Sequence, residues 1–80
     1  MNIEELKIKL DELGVPQKFY RINESLASDV YVLNNIYDYW EYFYFDERGN
    51  KNEYRRFNNE NDACTYFYKI LESEMKYWFN

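Results

Sequence analysis

The sequence predicts an α+β fold of order α-β-β-β-α, in which a three-stranded antiparallel meander carries two helices packed on one face. Apolar residues recur at helical spacing near both ends of the chain, and β-forming residues fill its middle, in runs separated by turns rich in Asn and Gly. A chain of 80 residues is expected to form one domain, residues 1–80, that buries about 60% of its unfolded surface. Ten Tyr, six Phe and two Trp supply its core.

The first helix is predicted to begin after Asn2, which can cap it, and to end at Gly14, with Pro16 preventing its continuation. Its apolar stripe comprises Ile3, Leu6, Leu10 and Leu13. Ile8 lies off this stripe, and the sequence leaves open whether it is partly covered or exposed. Residues 15–29 are predicted to be a packed loop that contains at most one helical turn.

Three strands are predicted after this loop, at residues 30–33, 37–45 and 53–57. Asn34-Asn35 is expected to form the first turn, and residues 47–52, which include Gly49, the second. The last helix is capped by Asn58 or Asn59 and has acidic residues in its first turn. Its apolar stripe comprises Ala63, Phe67, Ile70, Leu71, Met75 and Trp78.

Seven of the nine residues from Tyr37 to Phe45 are aromatic, so alternation places rings on both faces of this strand. We expect Phe43 and Phe45 to lie under the helices. The opposite face would then expose Trp40, Tyr42 and Tyr44 between Asp38 and Asp46, which is the composition of an interface centre. The alternative is that residues 15–29 or the C-terminus cover that face and leave a second small core. Stacking of nucleic-acid bases is disfavoured, because such platforms need positive surroundings.

The acidic excess is confined to the middle of the chain. Residues 1–21 and 55–80 are each neutral, whereas residues 22–54 hold seven acids and two bases, which accounts for the net charge of −5. This field repels nucleic acid and anionic membranes and attracts a basic protein. The bases Arg48, Lys51, Arg55 and Arg56 are expected to pair mainly with neighbouring acids.

Several function classes are disfavoured by the residues that are missing. Histidine is absent and there are only two glycines, so no histidine base, histidine metal ligand or phosphate-binding glycine loop is available. Asp38 with Glu41, or Asp46 with Glu47, are the compact carboxylate pairs, and a solvated acidic rim is the preferred interpretation. We therefore expect no enzyme activity, no cofactor and no metal.

The single cysteine, Cys64, lies on the apolar stripe of the last helix and is expected to pack as a small hydrophobe. With one cysteine no intrachain disulfide can form, and the first residues do not resemble a signal peptide. A cytoplasmic location is therefore expected.

Several short motifs occur together: Leu13-Gly14-Val15-Pro16 before Tyr20, then Glu47-Arg48-Gly49-Asn50-Lys51, then Phe57 and Ala63-Cys64-Thr65-Tyr66-Phe67. In this combination the chain, from about residue 10 to residue 70, resembles a family of small immunity proteins of bacterial toxin–immunity systems, including those of contact-dependent growth inhibition. The motifs consist of turn and core residues. Residues 23–29 depart from the family pattern, in which a Gly-containing turn is usual.

The resemblance implies a cytosolic protein that binds and neutralises one cognate toxin domain, often a nuclease. Combined with the acidic middle segment, it leads us to expect an inhibitor that occludes the active site or substrate groove of a basic nuclease, is monomeric when free, and contacts neither nucleic acid nor membrane. The expected toxin-binding residues are the steering acids Asp38, Glu41, Asp46 and Glu47 and the anchors Trp40, Tyr42 and Tyr44. Two alternatives stay open: a self-associating structural or regulatory adaptor, and an enzyme that uses two carboxylates.

Overall fold

The computed structural model describes the backbone of residues 1–78 and the side chains of residues 1–77. Its elements, in chain order, are α1 (Ile3–Leu13), a 3₁₀ turn (Gln17–Phe19), β1 (Tyr20–Ile22), β2 (Val30–Ile36), β3 (Tyr39–Phe45), β4 (Lys51–Phe57) and α2 (Glu60–Trp78). The predicted burial of Trp78 lies outside the described side chains. None of the helices in the described part of the chain is both long and apolar enough to cross a membrane.

The sheet has four strands in the order β1-β2-β3-β4, and β1 pairs with β2 in parallel. The α+β class and the two helices are confirmed, whereas the prediction of three antiparallel strands is wrong. The missed strand has only three residues, Tyr20–Ile22, inside a segment that the sequence presents as a loop. Three residues are too few for alternation to separate a strand from a loop.

The β2–β3 turn lies at Tyr37-Asp38, and not at Asn34-Asn35 as predicted. Both asparagines belong to β2, where the Asn35 side-chain amide donates to the backbone carbonyls of Tyr37 at 3.4 Å and Tyr39 at 3.2 Å. Asn35 thus holds the hairpin from beside the turn. Tyr37 takes the left-handed conformation instead, with φ 55°. A turn after β3 is confirmed, with Gly49 at φ 81°. It is shorter than predicted, because Lys51 and Asn52 belong to β4.

The helix ends follow the predicted capping residues. The Asn2 side chain accepts from the Glu5 backbone N–H at 2.9 Å, and Gly14 ends α1 at φ 87°. Asn59, rather than Asn58, caps α2 by accepting from the Asp62 backbone N–H at 2.8 Å. These contacts satisfy backbone groups that have no partner within the helix.

The N-terminal ends of the two helices are also joined to each other. The Ile3 backbone N–H of α1 donates to the Glu60 carboxylate of α2 at 2.8 Å, and the Met1 amino group bonds the Asn61 side chain. Leu6 and Leu10 of α1 are fully buried in one cluster with residues of α2 and of the sheet. The helices therefore pack together on one side of the sheet, called here the helix side, as predicted.

The aromatic strand β3 is turned the opposite way from the prediction. Trp40 and Tyr42 lie on the helix side, where the Tyr42 ring contacts Phe67 edge-on at 5.9 Å between centroids. Phe43 and Phe45 lie on the other side, called here the far side. The sequence does not distinguish these two arrangements. Both alternating sets of β3 side chains contain aromatic rings, so either set could pack against the helices.

The far side carries a second small cluster. The alternative drawn from the sequence placed a second core opposite the helices, but expected Trp40, Tyr42 and Tyr44 in it. Val30, Val32 and Phe43 are buried there, and Ala27 of the loop between β1 and β2 packs on them. Cys64 is buried in the helix-side cluster, which confirms its packing role. Ile8 is 61% exposed, so it lies outside the core.

The β1 strand gives a direct test of this fold. Ile22 is 2% exposed, and Ile22→Val is expected to lower the free energy of unfolding by about 0.5–1.5 kcal/mol, because it removes a buried methylene. Ile8→Val is the matched control and should change it by less than about 0.5 kcal/mol. Urea denaturation measures both, and equal effects would contradict a buried β1.

Candidate functional site

The predicted anchors Trp40 and Tyr42 are core residues. Trp40 is 8% exposed and Tyr42 1% exposed, because α2 covers their side of the sheet. The prediction that they form an open aromatic surface is therefore wrong. Tyr44, the third anchor, is half-buried, and its hydroxyl donates to the Asp29 carboxylate at 3.3 Å.

The predicted steering acids are not one patch. Asp38 lies in the β2–β3 turn, whereas Asp46 and Glu47 lie at the other end of β3, a strand of seven residues that spans roughly 20 Å. Glu41 lies on the far side, is 9% exposed and accepts a hydrogen bond from the Tyr54 hydroxyl at 2.9 Å. The parity of β3 that turns Tyr42 inward also turns Glu41 away from the helices, so Glu41 is not a solvent-facing steering group.

Asp46 organises the β3–β4 turn. Its carboxylate accepts from the Asn50 N–H at 2.8 Å, the Arg48 N–H at 3.0 Å and the Asn52 side-chain amide at 3.0 Å. These hydrogen bonds, the one from Asn52 first, lower the pKa of Asp46 because they stabilise its charged form.

Tyr44 belongs instead to a concave site between the sheet and the second half of α2, called here the tyrosine groove. Its volume is about 400 Å³. The described residues that line it are Tyr31, Tyr42, Tyr44, Asn52, Glu53, Ile70 and Glu74. None of them is basic. Asp29, through its hydrogen bond to Tyr44, adds a further carboxylate at the rim.

Strand register builds the sheet wall of this groove. Tyr31, Tyr44 and Asn52 are direct cross-strand neighbours on β2, β3 and β4, and the rings of Tyr31 and Tyr44 lie 4.8 Å apart. The next pairing along β3 and β4 is Tyr42 with Arg55, so two residues of β4, Glu53 and Tyr54, oppose the single residue Phe43 of β3. This irregularity is a β-bulge.

The bulge explains the position of Glu53. Glu53 has φ 55°, a conformation that non-glycine residues rarely adopt. In a regular strand successive side chains alternate between faces, yet Asn52 and Glu53 both line the groove. The bulge therefore directs an additional carboxylate into the site, which is a common role of bulges near functional sites.

The helical wall comes from a stripe of α2 residues four positions apart. Tyr66 packs on Tyr42 at 5.3 Å between ring centroids, Ile70 lines the groove one turn later, and Glu74 follows after another turn. Residues spaced by four lie on one helix face. An acid thus occupies the place where this apolar stripe would otherwise continue.

The pKa values of the groove tyrosines are raised by burial and by nearby negative charges. The pKa of Tyr44 is raised by burial and then by Asp29, with Asp46 and Glu47 contributing through their charges. The pKa values of Tyr31 and Tyr42 are raised mainly by burial, and Glu53 and Glu74 add to both. A negative surrounding disfavours the phenolate, so it adds to the effect of burial in raising the pKa of these hydroxyls.

The basic residues of β4 lie against rings of the same chain. Arg56 is 3.8 Å from the Tyr39 ring centroid, Lys51 4.9 Å from that of Phe43, and Arg55 5.3 Å from that of Tyr66. Such cation–π contacts are favourable. The sequence predicted ion pairs for these bases and did not anticipate the contacts with rings.

A second concave site has the opposite character. It is about 390 Å³ in volume and lies beside α1 and β1, lined by Lys7, Gln17, Lys18, Tyr20, Arg21 and Glu24. The Arg21 guanidinium donates to the Tyr20 carbonyl at 2.9 Å. Three bases thus surround one acid there, so this concave site and the tyrosine groove differ in the sign of their charge.

Other candidate chemistry is weakly supported by the geometry. Burial, followed by the charge of Glu60, raises the pKa of the Cys64 thiol to about 11, which disfavours the reactive thiolate. Among the described residues, no three His, Cys, Asp or Glu side chains are grouped so that they could hold a metal ion.

Of the residues predicted from the sequence, Tyr42 and Tyr44 line the groove, and Asp46 and Glu47 lie near it. Asp29, Tyr31, Glu53 and Glu74 were not among the predicted binding residues. Glu74 could have been found as the acid that interrupts an apolar i, i+4 stripe. Glu53 carries no such signal, because the bulge that turns it follows from the register of two strands.

The Asp46 turn predicts a pH-dependent stability. Since the pKa of Asp46 is lower in the folded state, its contribution is present above the ordinary value of 3.8 and is lost as the pH falls through the folded value. Asp46→Asn should therefore lower the midpoint of thermal unfolding at pH 7, and the difference from the parent chain should shrink in acid.

Asp38→Asn, in the other turn, is the control and is expected to change the free energy of unfolding by less than about 0.5 kcal/mol at pH 7. Thermal unfolding followed by circular dichroism measures both variants. A deficit of Asp46→Asn that is as large at pH 2 as at pH 7 would contradict the assignment.

Comparisons with models of protein families, with curated proteins and with solved structures gave no match to this chain.

Proposed function

We propose that this chain is an immunity protein that binds and neutralises a cognate bacterial toxin domain, a basic nuclease, by occluding its active site or substrate groove. The observation that carries the proposal is the tyrosine groove: three tyrosines and two carboxylates line it, and no basic residue does so among the described residues. On this proposal the protein acts in the cytoplasm as a binding partner, without catalysis, cofactor or metal.

The composition of the groove supports protein binding. Tyrosines in concave, partly desolvated positions are typical of the few residues that dominate interface energies. Tyr31 and Tyr44 present adjacent rings there, and Asp29, Asp46 and Glu47 lie around them. Rings of this kind favour slow dissociation, whereas the surrounding acids favour fast association with a cationic partner.

The sign of the charge supports a nuclease as the partner. A nuclease must present positive potential to the phosphates of its substrate. An acidic groove competes for that surface and is itself repelled by nucleic acid and by anionic membranes. We therefore propose no direct contact of this chain with nucleic acid or membrane.

A self-associating adaptor is the second candidate, and one observation favours it. β4 is an edge strand, and Lys51–Arg56 are all exposed. Edge strands can pair with another chain, although a bulge and charged side chains oppose such pairing, and β4 has both. Sedimentation of the purified chain separates the candidates, because we expect a monomer and the adaptor requires a stable homo-oligomer.

Neutralisation is tested by co-expression with a candidate toxin domain. Where the protein encoded immediately upstream of this chain ends in a small, basic domain, that domain is the one to use. Cells that produce the domain alone should stop growing, and cells that also produce this chain should grow. Growth arrest in both cases, with both proteins present, would refute neutralisation of that toxin.

The location of the interface is tested by charge reversal at the groove. Glu47→Lys with Glu74→Lys should slow association with the toxin domain at low salt by about tenfold or more and weaken its salt dependence, because electrostatic steering is lost. Glu4→Lys with Glu12→Lys on α1 changes the net charge equally, away from the groove, and should have a smaller effect. Stopped-flow association measures both pairs, and equal slowing would place the steering field elsewhere.

A further inference from the structure

On the basis of the proposed function, we infer that the tyrosine groove receives one lysine or arginine side chain of the partner, whose cationic head binds the Tyr42 hydroxyl and the carboxylates of Glu53 and Glu74. The groove is then the specific pocket for a single anchor residue, and the outer acids serve only to attract it. Tyr42 therefore has two roles, since its ring belongs to the core and its hydroxyl to the site.

The state of the Tyr42 hydroxyl points to a ligand. Tyr42 is 1% exposed and lines the groove, but within the described part of the chain its hydroxyl has no hydrogen-bond partner. No fully buried side-chain oxygen or nitrogen of the described residues lacks a partner, so this hydroxyl reaches the surface at the groove. A phenol oxygen can accept a hydrogen bond there from an incoming N–H group.

The carboxylates around this hydroxyl specify a cation. Glu53 and Glu74 both act on Tyr42 through their charges, and both line the groove. Arg55 is the cross-strand neighbour of Tyr42, but its guanidinium lies over the Tyr66 ring and it is not among the residues that line the groove. An N–H group held between a phenol oxygen and carboxylates forms charge-assisted hydrogen bonds, which are stronger than neutral ones.

The remaining lining favours an organic cation over a metal ion. No metal-binding group of acids occurs among the described residues, whereas aromatic rings attract ammonium and guanidinium groups. Ile70 and the ring of Tyr31 offer apolar surface, which suits the alkyl stem of lysine or arginine. The volume of about 400 Å³ lies within the range of ligand-sized pockets, about 300–1,000 Å³.

The test uses the free protein and a capped arginine, N-acetyl-arginine amide, followed by NMR. Its neutral isostere, N-acetyl-citrulline amide, has nearly the same shape and no charge. Capped arginine should produce saturable shifts of the Tyr42, Tyr44 and Glu53 signals, and capped citrulline should not. Equal shifts with both compounds, or shifts confined to other residues, would overturn the inference.

Two tyrosine variants separate the hydroxyl from the ring. Tyr42→Phe removes only the oxygen and should weaken capped-arginine binding about tenfold, the scale of one hydrogen bond to a charged group. Tyr54→Phe removes the far-side hydroxyl that donates to Glu41 and should leave binding unchanged. Glu74→Gln, which keeps the shape of the side chain, should also weaken binding. Unchanged binding in both Tyr42→Phe and Glu74→Gln would contradict the assigned contacts.

The same variants distinguish this inference from the proposed function. If Tyr42→Phe binds and neutralises the toxin domain as tightly as the parent chain, the anchor pocket is wrong although neutralisation stands. If capped arginine binds as described and no toxin domain is neutralised, the pocket stands and the proposed function is wrong.

Discussion

The packing of α2 on the ring-bearing strand β3 determines most of this structure. Tyr42 contacts both Tyr66 and Phe67, and Trp40 lies in the same buried cluster. Once these residues face α2, alternation sends Glu41, Phe43 and Phe45 to the far side and brings Tyr44 back to the helix side. The identity of both faces of the sheet, and the position of the groove, follow from this choice.

Local features of the fold could be predicted from the sequence, because single residues encode them. Asn2 and Gly14 delimit α1, Gly49 takes a positive φ in the last turn, and Cys64 packs in the core. Features that depend on the pairing of strands or on contacts between distant segments could not be predicted from the sequence. The face of β3, the three-residue strand β1 and the bulge at Glu53 arise from contacts between segments distant in sequence.

The distribution of acids shows the same difference between local and tertiary information. Composition correctly places the acidic excess in residues 22–54, but the fold divides those acids among two turns, the far side and the groove. Glu74, from the electrically neutral last segment, then joins the groove. A count of charges along the chain therefore predicts the sign of the charge at the site, but it does not predict which residues form the site.

The groove also imposes a cost on the fold. Glu53 occupies a left-handed conformation, which costs of order 1–3 kcal/mol at positions of this kind, and two carboxylates, those of Glu53 and Glu74, line the same groove. Binding sites commonly retain such features at the expense of stability. On the proposed function a bound cation would offset the negative charge of these carboxylates, at the position in β4 where the backbone is left-handed.

The central claim is that negative potential concentrates at the tyrosine groove, and paramagnetic broadening measures it without any partner. A cationic nitroxide should broaden the NMR signals of Tyr44, Glu53 and Glu74 more than a neutral nitroxide of the same size. Lys7, Lys18 and Arg21 line the basic concave site. The cationic nitroxide should broaden the signals of these residues less than the neutral nitroxide does. Equal broadening by the two probes at the groove would contradict the claim.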